Sequence, residues 1–399
     1  MKAHPPPLSG VVVLDLGQIF AGSYAGFLLG MAGATVIKIE PPRGDVLRTR
    51  IAFRGIGGAL PFAMLNANKK GMTLNLKHRK GREILFGLAK VADVLLENFA
   101  PGALAKLGVS WDDLHAANPR LVYAALSGYG LDGPYRDYPA MDLTIQAMAG
   151  ITSVTGFPDG PPVKAGPAVC DFNGGIHLYG AIVTALLQRE RSGFGQFVEV
   201  ALLDAAYPSL ASSLALHATG GRTQRTGNQH AGLAQSPYNV YQAKDGYVAI
   251  LCISEAQWQS LADVMGRPDL KNDPRFSTMK ARVANMNLVD QEISAWLSNV
   301  DKDTAFETLI RNNVPSAPVR GVDEVMLDRH MHKTGMLEWY DHPEYGRMVL
   351  PNSPLRFKQA APVQRSPSPG LGQHNREILT TLLKMTNDEV DELATAGVI

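Results

Sequence analysis

One aspartate, Asp171, stands in the stretch VCDFNGGIHLYGAIVTALL, ahead of an apolar stripe. Ile176, Tyr179, Gly180, Val183, Leu186 and Leu187 share one face at helical spacing, which predicts a helix from near Gly174. Asp171 then lies just before that helix, and two readings compete. It can cap the N-terminus, as Asp commonly does. It can also be a nucleophile, since the helix dipole favours its carboxylate form and lowers its pKa. Gly174 and Gly175 let another chain segment or a ligand come close to exposed N–H donors, and in the nucleophile reading those donors steady an oxyanion while the carboxylate attacks a thioester carbonyl. Cys170 beside it reads as a small buried residue.

Asp142 opens another helical pattern after the Gly- and Tyr-rich SGYGLDGPYRDYPA, and it too reads as acid/base or as cap. Asn98 and Phe99 follow an apolar run; they can bond to and stack on a flat ring, or serve as cap and core. Arg43, Lys69, Lys70, Lys77 and Lys106 all fall near expected strand ends, where an α/β sheet binds ligands. A polyphosphate ligand fits these cations, and so does an ordinary solvated face. The turn DLGQIFAGSYAG has neither G-x-G-x-x-G nor the lysine of a phosphate-binding loop, Ser23 standing in the lysine's place. His177, His230 and His374 show no zinc-ligand spacing, so no metal site is expected. No G-x-S-x-G motif occurs.

The elements that must hold these residues alternate. VVVLDLG, TVIKIE, MTLNL, DVLLENF, LVYAALSGYG and GQFVEVALLDAA read as strands separated by helical patterns, which predicts a mostly parallel sheet. The texture changes after ATGGRTQRTGN, where GYVAILCI and several helices predict a smaller α+β unit. The expected division is a large domain from 1–205 and 328–399, a small domain from 222–325, and linkers at 206–221 and 326–330. The chain has 399 residues and a formal net charge of +1, which points to no nucleic-acid or membrane-surface partner. Two cysteines make no disulfide framework, and no apolar run approaches the ~18–20 residues that span a bilayer. With no leader pattern at the start, a cytoplasmic protein is expected.

Taken in order, these stretches resemble the class III coenzyme A transferase family, the CaiB/BaiF type that includes formyl-CoA and carnitine CoA-transferases. The resemblance runs through VLDLGQIFAGSYAGFLLGMAGATVIKIEPPRGD, NANKKGMTLNL, ADVLLENFAPGALAKLG, VCDFNGG, RTGNQHAGLAQSPYNVYQAKDG and GLGQHNREIL, nearly the whole chain. It implies an α/β fold, with a Rossmann-like large domain built from both chain ends, an inserted smaller α+β domain, and an interlocked homodimer. It implies an acyl-CoA:carboxylate CoA-transferase in which Asp171 forms first an acyl anhydride and then an aspartyl-CoA thioester. Acyl-CoA and carboxylic acids are substrates, with no permanently bound cofactor. Asp142, Gly174 and Gly175 are possible supporting residues, and the CoA contacts map to Ala21, Arg43, Leu74, Asn75, Lys77, Asn98, Phe99 and Lys106.

Two departures stand out. Formyl-CoA transferase has Gln where Phe20 stands and an Arg where Pro41 stands, with Arg43 the replacement cation. Its glycine-rich lid is also missing, GNQHAGLAQ being nearest, which argues against oxalate and formate. The sister activity, 2-methylacyl-CoA racemisation, requires a His immediately before Asp142, and Met141 stands there. A non-catalytic CoA-binding homologue is the third alternative, and retention of Asp171 with the Gly pair opposes it. Phe20, Tyr138, Met141, His230 and Tyr238 are the candidate acyl pocket. A dicarboxylic acid would want a cation there, from Arg48, Arg54 or Arg225.

Overall fold

The computed structural model describes residues 3–48 and 60–399, and Arg54 lies outside the described residues. The chain divides into two compact units, residues 1–145, 167–206 and 328–399 in one and residues 146–166 and 207–327 in the other. Residues 146–166 therefore group with the second unit rather than the large domain. Residues 206–221, expected as a linker, carry a short 3-10 turn and the helix Ala211–Ala218.

The first unit is built on six parallel strands: β1 (Val12–Asp15), β2 (Thr35–Glu40), β3 (Lys69–Thr73), β4 (Val94–Glu97), β5 (Val122–Ser127) and β6 (Phe197–Ala201). Their order across the sheet is β3-β2-β1-β4-β5-β6, the nucleotide-binding Rossmann order. Five of the six expected runs match strands closely. The run MTLNL does not, because β3 begins earlier, at Lys69, and ends at Thr73. The central strands are buried because helices cover both faces of the sheet, and the few charges they carry, such as Asp15, Lys38 and Lys69, are buried with them. Leu14, Val94, Leu95 and Val122 are fully buried, each contributing about 1.5–3 kcal/mol by leaving water. The far end of the chain joins this core through the helices Asn375–Leu382 and Asn387–Thr395, which bury Ile378, Leu379, Val390 and Leu393.

Strand order reverses between β1 and β4, which pair Val13 with Val94 and Asp15 with Leu96. Beyond the carboxyl ends of these two strands lies the crevice where open α/β sheets bind ligands. Five helices of this region matter: α1 (Ala21–Met31), α2 (Ala103–Lys106), α3 (Asp142–Met148), α4 (Val169–Ser192) and α5 (Leu202–Ala206).

The second unit contains a three-stranded antiparallel sheet of β7 (Tyr238–Ala243), β8 (Gly246–Leu251) and β9 (Ser316–Pro318). Trp258, Phe276, Val289 and Leu309 fill its separate core. Buried Arg282 ties this core together, donating to the carbonyls of Ser236 and Phe276 and pairing with Glu255 at 2.7 Å.

Candidate active site

The turn from β1 into α1 rests on buried charges. Asp15 accepts from the Gly17 N–H at 2.8 Å and pairs with Lys69 at 2.7 Å, both side chains fully buried. Lys38 donates to the Gly17 carbonyl and pairs with Asp45 at 3.0 Å. Lys69 is therefore a structural counter-ion rather than a cation for a phosphate. Lys70 is spent on Glu377 at 2.5 Å.

Asn98, at the end of β4, clamps the same turn. Its Oδ1 accepts from the Gln18 N–H at 2.6 Å, and its Nδ2 donates to the Gln18 carbonyl at 2.9 Å. Both ends of the amide are occupied, so Asn98 positions the turn rather than offering that amide to a ligand. One residue earlier, Glu97 accepts from the Phe99 N–H at 2.6 Å, and burial pushes its carboxyl up to about 7.

Asp171 lies inside the first turn of α4, not ahead of it, because the helix begins at Val169. The residue before the helix is Ala168, which makes no side-chain cap. The cap comes from Asp142 on α3, whose Oδ1 accepts from the N–H groups of Cys170 at 2.8 Å and Asp171 at 3.2 Å. The Val169 and Phe172 N–H groups reach the Pro167 and Ala168 carbonyls. The first turn thus has no spare donor.

Capping by Asp171 and an oxyanion cradle at the Gly pair are both overturned. Gly174 and Gly175 lie a turn further on and are buried by protein. A Cβ on Gly174 would meet Leu202 at 2.3 Å, and one on Gly175 would meet the Ala21 carbonyl at 2.7 Å. Their small size lets α4 lie against α1 and α5.

The Asp171 carboxylate has no hydrogen-bond or ion-pair partner among the described residues. Its pKa moves opposite to the dipole argument: burial, then the nearby Asp142 charge, push it up from 3.8 to about 7. A half-buried carboxylate beside a second acid pays more in lost hydration than the helix end returns. Cys170 is 1% exposed, and burial raises its thiol to about 12, so it is no competing nucleophile at neutral pH.

Asp171 opens onto a cleft of about 790 Å³ at the sheet's switch point. Ala21, Asn98, Phe99 and Lys106 line it, as do Phe20, Tyr138 and Met141. A second cleft of about 390 Å³ is lined by Arg43, Leu74, Asn75 and Lys77. Gln18 and Phe99 belong to both walls, so the two adjoin. All eight predicted CoA contacts thus fall on two neighbouring clefts. Asn75 also bonds the Lys77 N–H at 3.1 Å and receives the chain end, its own N–H reaching Val398.

The remaining candidates behave differently. His230 and Tyr238 belong to the second unit, where their rings meet edge to face at 5.4 Å. Arg48 is held by Glu40 and the Pro369 carbonyl, and Arg225 by the carbonyls of Phe157, Pro158 and Gly160. Both guanidiniums are thus engaged within the protein through Nε and Nη2. Among the described residues there is no cluster of three metal-ligating side chains, and no helix long and apolar enough to cross a membrane.

The model for CoA-transferase family III matches residues 8–375. The chain belongs to CoA-transferase family III. Among its family relatives, a formyl-CoA:oxalate CoA-transferase from Streptomyces coelicolor is 36% identical over 409 aligned residues, covering 98% of this chain and 99% of the relative. A succinyl-CoA–D-citramalate CoA-transferase from Chloroflexus aurantiacus is 35% identical, covering 99% and 98%. A crystal structure of a CaiB/BaiF family protein from Brucella suis superposes with a TM-score of 0.84 at 34% identity, covering 95% of this chain and all of that one. Within this family member, sequence reasoning missed Gln18, which joins the two clefts, and Arg136, which lines the larger one. A Gln in a Gly-rich turn and an Arg between two tyrosines carry no signal separating them from surface residues.

Proposed function

We propose that this protein transfers CoA from an acyl-CoA donor to a carboxylic-acid acceptor through covalent intermediates on Asp171. The observation that carries this is a partly buried carboxylate, without a partner among the described residues and raised to about 7, on the wall of a cleft at the sheet's switch point. Asp171 attacks the donor thioester carbonyl and CoA thiolate leaves, giving an acyl-aspartyl anhydride. The thiolate attacks the aspartyl carbonyl, the donor acid departs as carboxylate, and aspartyl-CoA remains. An acceptor carboxylate then displaces the thiolate, forming a new anhydride. The thiolate attacks the acceptor's acyl carbonyl, which releases acyl-CoA and restores Asp171. No proton is gained or lost overall. Splitting one exchange into such steps is what covalent catalysis supplies.

Donors for the oxyanion come from α1 in this reading. The N–H groups of Ala21, Gly22 and Ser23 have no partner among the described residues, and Ala21 lines the cleft with Asp171. CoA extends from there past Phe99 toward Leu74, Asn75, Lys77 and Arg43. Phe20, Tyr138 and Met141 give the acyl end a mostly apolar wall. Relatives named for oxalate and for citramalate are equally similar, so the acceptor is proposed only as a carboxylic acid. The interlocked homodimer and cytoplasmic location belong to this same reading. Racemisation is disfavoured because Met141 carries no proton and the Asp142 carboxylate is spent on α4.

The test is direct. Acyl-CoA is added, hydroxylamine follows, and the modified residue is identified by mass spectrometry. Modification is expected at Asp171, and Asp171→Ala should lose transfer by roughly 10⁴-fold or more while still binding CoA. Full transfer by Asp171→Ala, or modification only elsewhere, sinks the mechanism. Rapid exchange of an α-proton into deuterated water without transfer would favour racemisation.

A further inference from the structure

The larger cleft holds two cations, Lys106 and Arg136, and neither side chain has a hydrogen bond or ion pair among the described residues. The Arg136 guanidinium lies over the start of α2: its terminal nitrogen is 3.6 Å from where a Cβ on Gly102 would stand. Gly102 has φ +76° and no side chain, so nothing there pushes the guanidinium away. Lys106 is one turn further along α2, its N–H bonded to the Gly102 carbonyl at 3.0 Å. The two charges therefore share one wall.

Arg136 is held there by its own loop. Tyr129, Tyr135 and Tyr138 form a cluster with ring separations of 5.3 to 6.2 Å. Its N–H bonds the Gly133 carbonyl, and the Tyr138 N–H bonds the Tyr135 carbonyl at 2.9 Å. Asp137 lines the cleft as well but makes no ion pair with it. Aromatic packing orders the loop before a ligand arrives, which lowers the entropic cost of using the guanidinium.

We propose that Arg136 binds phosphate in this cleft, its guanidinium taking the diphosphate of CoA together with Lys106. The inference rests on the CoA reading above. A diphosphate carries two charged groups and suits two cations on one wall, whereas one carboxylate needs only one. A planar guanidinium also matches phosphate oxygens in bidentate fashion, which an ammonium cannot do.

The full chain as wild type, Arg136→Ala and Arg136→Lys is titrated with CoA, dephospho-CoA and pantetheine by calorimetry, and steady-state KM is measured for acyl-CoA and acceptor. Arg136→Ala should weaken CoA and dephospho-CoA about tenfold and leave pantetheine unchanged, with Arg136→Lys intermediate. KM should rise for acyl-CoA and stay constant for the acceptor. Unchanged CoA affinity in Arg136→Ala overturns the proposal, as does an equal loss for pantetheine or a rise in acceptor KM alone. A loss seen with CoA but not with dephospho-CoA overturns it too, since the 3′-phosphate would then be the partner. If wild type binds no CoA, the CoA reading itself falls, and with it this assignment. An exposed loop residue leaves the fold intact, which an unchanged melting temperature verifies.

Discussion

Two helix N-termini flank the cleft, and they are finished in opposite ways. At α4 every first-turn N–H has an acceptor, two of them on the Asp142 carboxylate. At α1 the preceding residue is Phe20, which makes no side-chain cap, and the N–H groups of Ala21, Gly22 and Ser23 have no partner among the described residues. The sealed end carries the carboxylate and the open end carries the donors. A nucleophile on an open helix end would be stabilised as an anion and made a weaker base. Sealing α4 with a second acid does the reverse, and Asp171 rises to about 7. In the proposed mechanism this contrast divides the labour between two helices, rather than leaving it to one cradle at the Gly pair.

The largest way to break this contrast is to undermine the open end. Lys69→Ala strands Asp15 as a buried, unpaired charge beneath the Gly17 turn. Loss of about 3–5 kcal/mol is expected in denaturant unfolding. An equal-stability variant would mean that the turn does not depend on that pair.

Gly175→Ala attacks the contact between the two helices. Its Cβ would press on the Ala21 carbonyl, a backbone atom that cannot rotate away. Destabilisation of about 1–3 kcal/mol is expected, with a fall in kcat as α1 shifts. Gly174→Ala meets the end of the Leu202 side chain and should cost less in the same unfolding assay.

Much of this architecture is legible in the chain, for physical reasons. Strands such as VLLE and LVYAALS are buried on both faces, so they read as nearly continuous β-branched and apolar runs between helices. The partnership of Asp142 with Asp171 is not legible, because 29 positions separate them and no local pattern links a cap to a distant helix. The start of α4 is hidden for the same reason: Pro167, Ala168 and Val169 contain no capping side chain. Lys69 and Lys77 look alike in sequence, yet one is 3% exposed against Asp15 and the other is exposed at a cleft. The direction of burial along β3 decides that, and an isolated lysine does not announce it. Gly174 and Gly175 were legible as a demand for close approach, but sequence alone does not say whether protein or ligand approaches.

The sealed end offers a finer probe through Asp142. Asp142→Ala leaves the Cys170 and Asp171 N–H groups without an acceptor and should cost about 1–2 kcal/mol. Asp142→Asn keeps an oxygen for those bonds and should retain most of the stability. If both variants unfold alike, the cap is not what Asp142 contributes.

The smallest effect separates charge from capping, and it is read from pH dependence. In the proposed mechanism Asp171 attacks as a carboxylate, so kcat/KM should fall tenfold per pH unit below about 7. Asp142→Asn removes the neighbouring charge and should move that limb downward by a fraction of a unit to about one unit. Burial, the larger cause, stays, so the limb should not return to 3.8. Stability gives the matching sign. Folded Asp171 holds its proton more tightly than the unfolded chain does, so between about 4 and 7 its contribution turns unfavourable as pH rises. Asp171→Asn removes that penalty and should raise the melting temperature at pH 8 but not at pH 4. A uniform shift at both pH values would mean that the raised carboxyl is not the source, and the contrast between the two helix ends would lose its electrostatic basis.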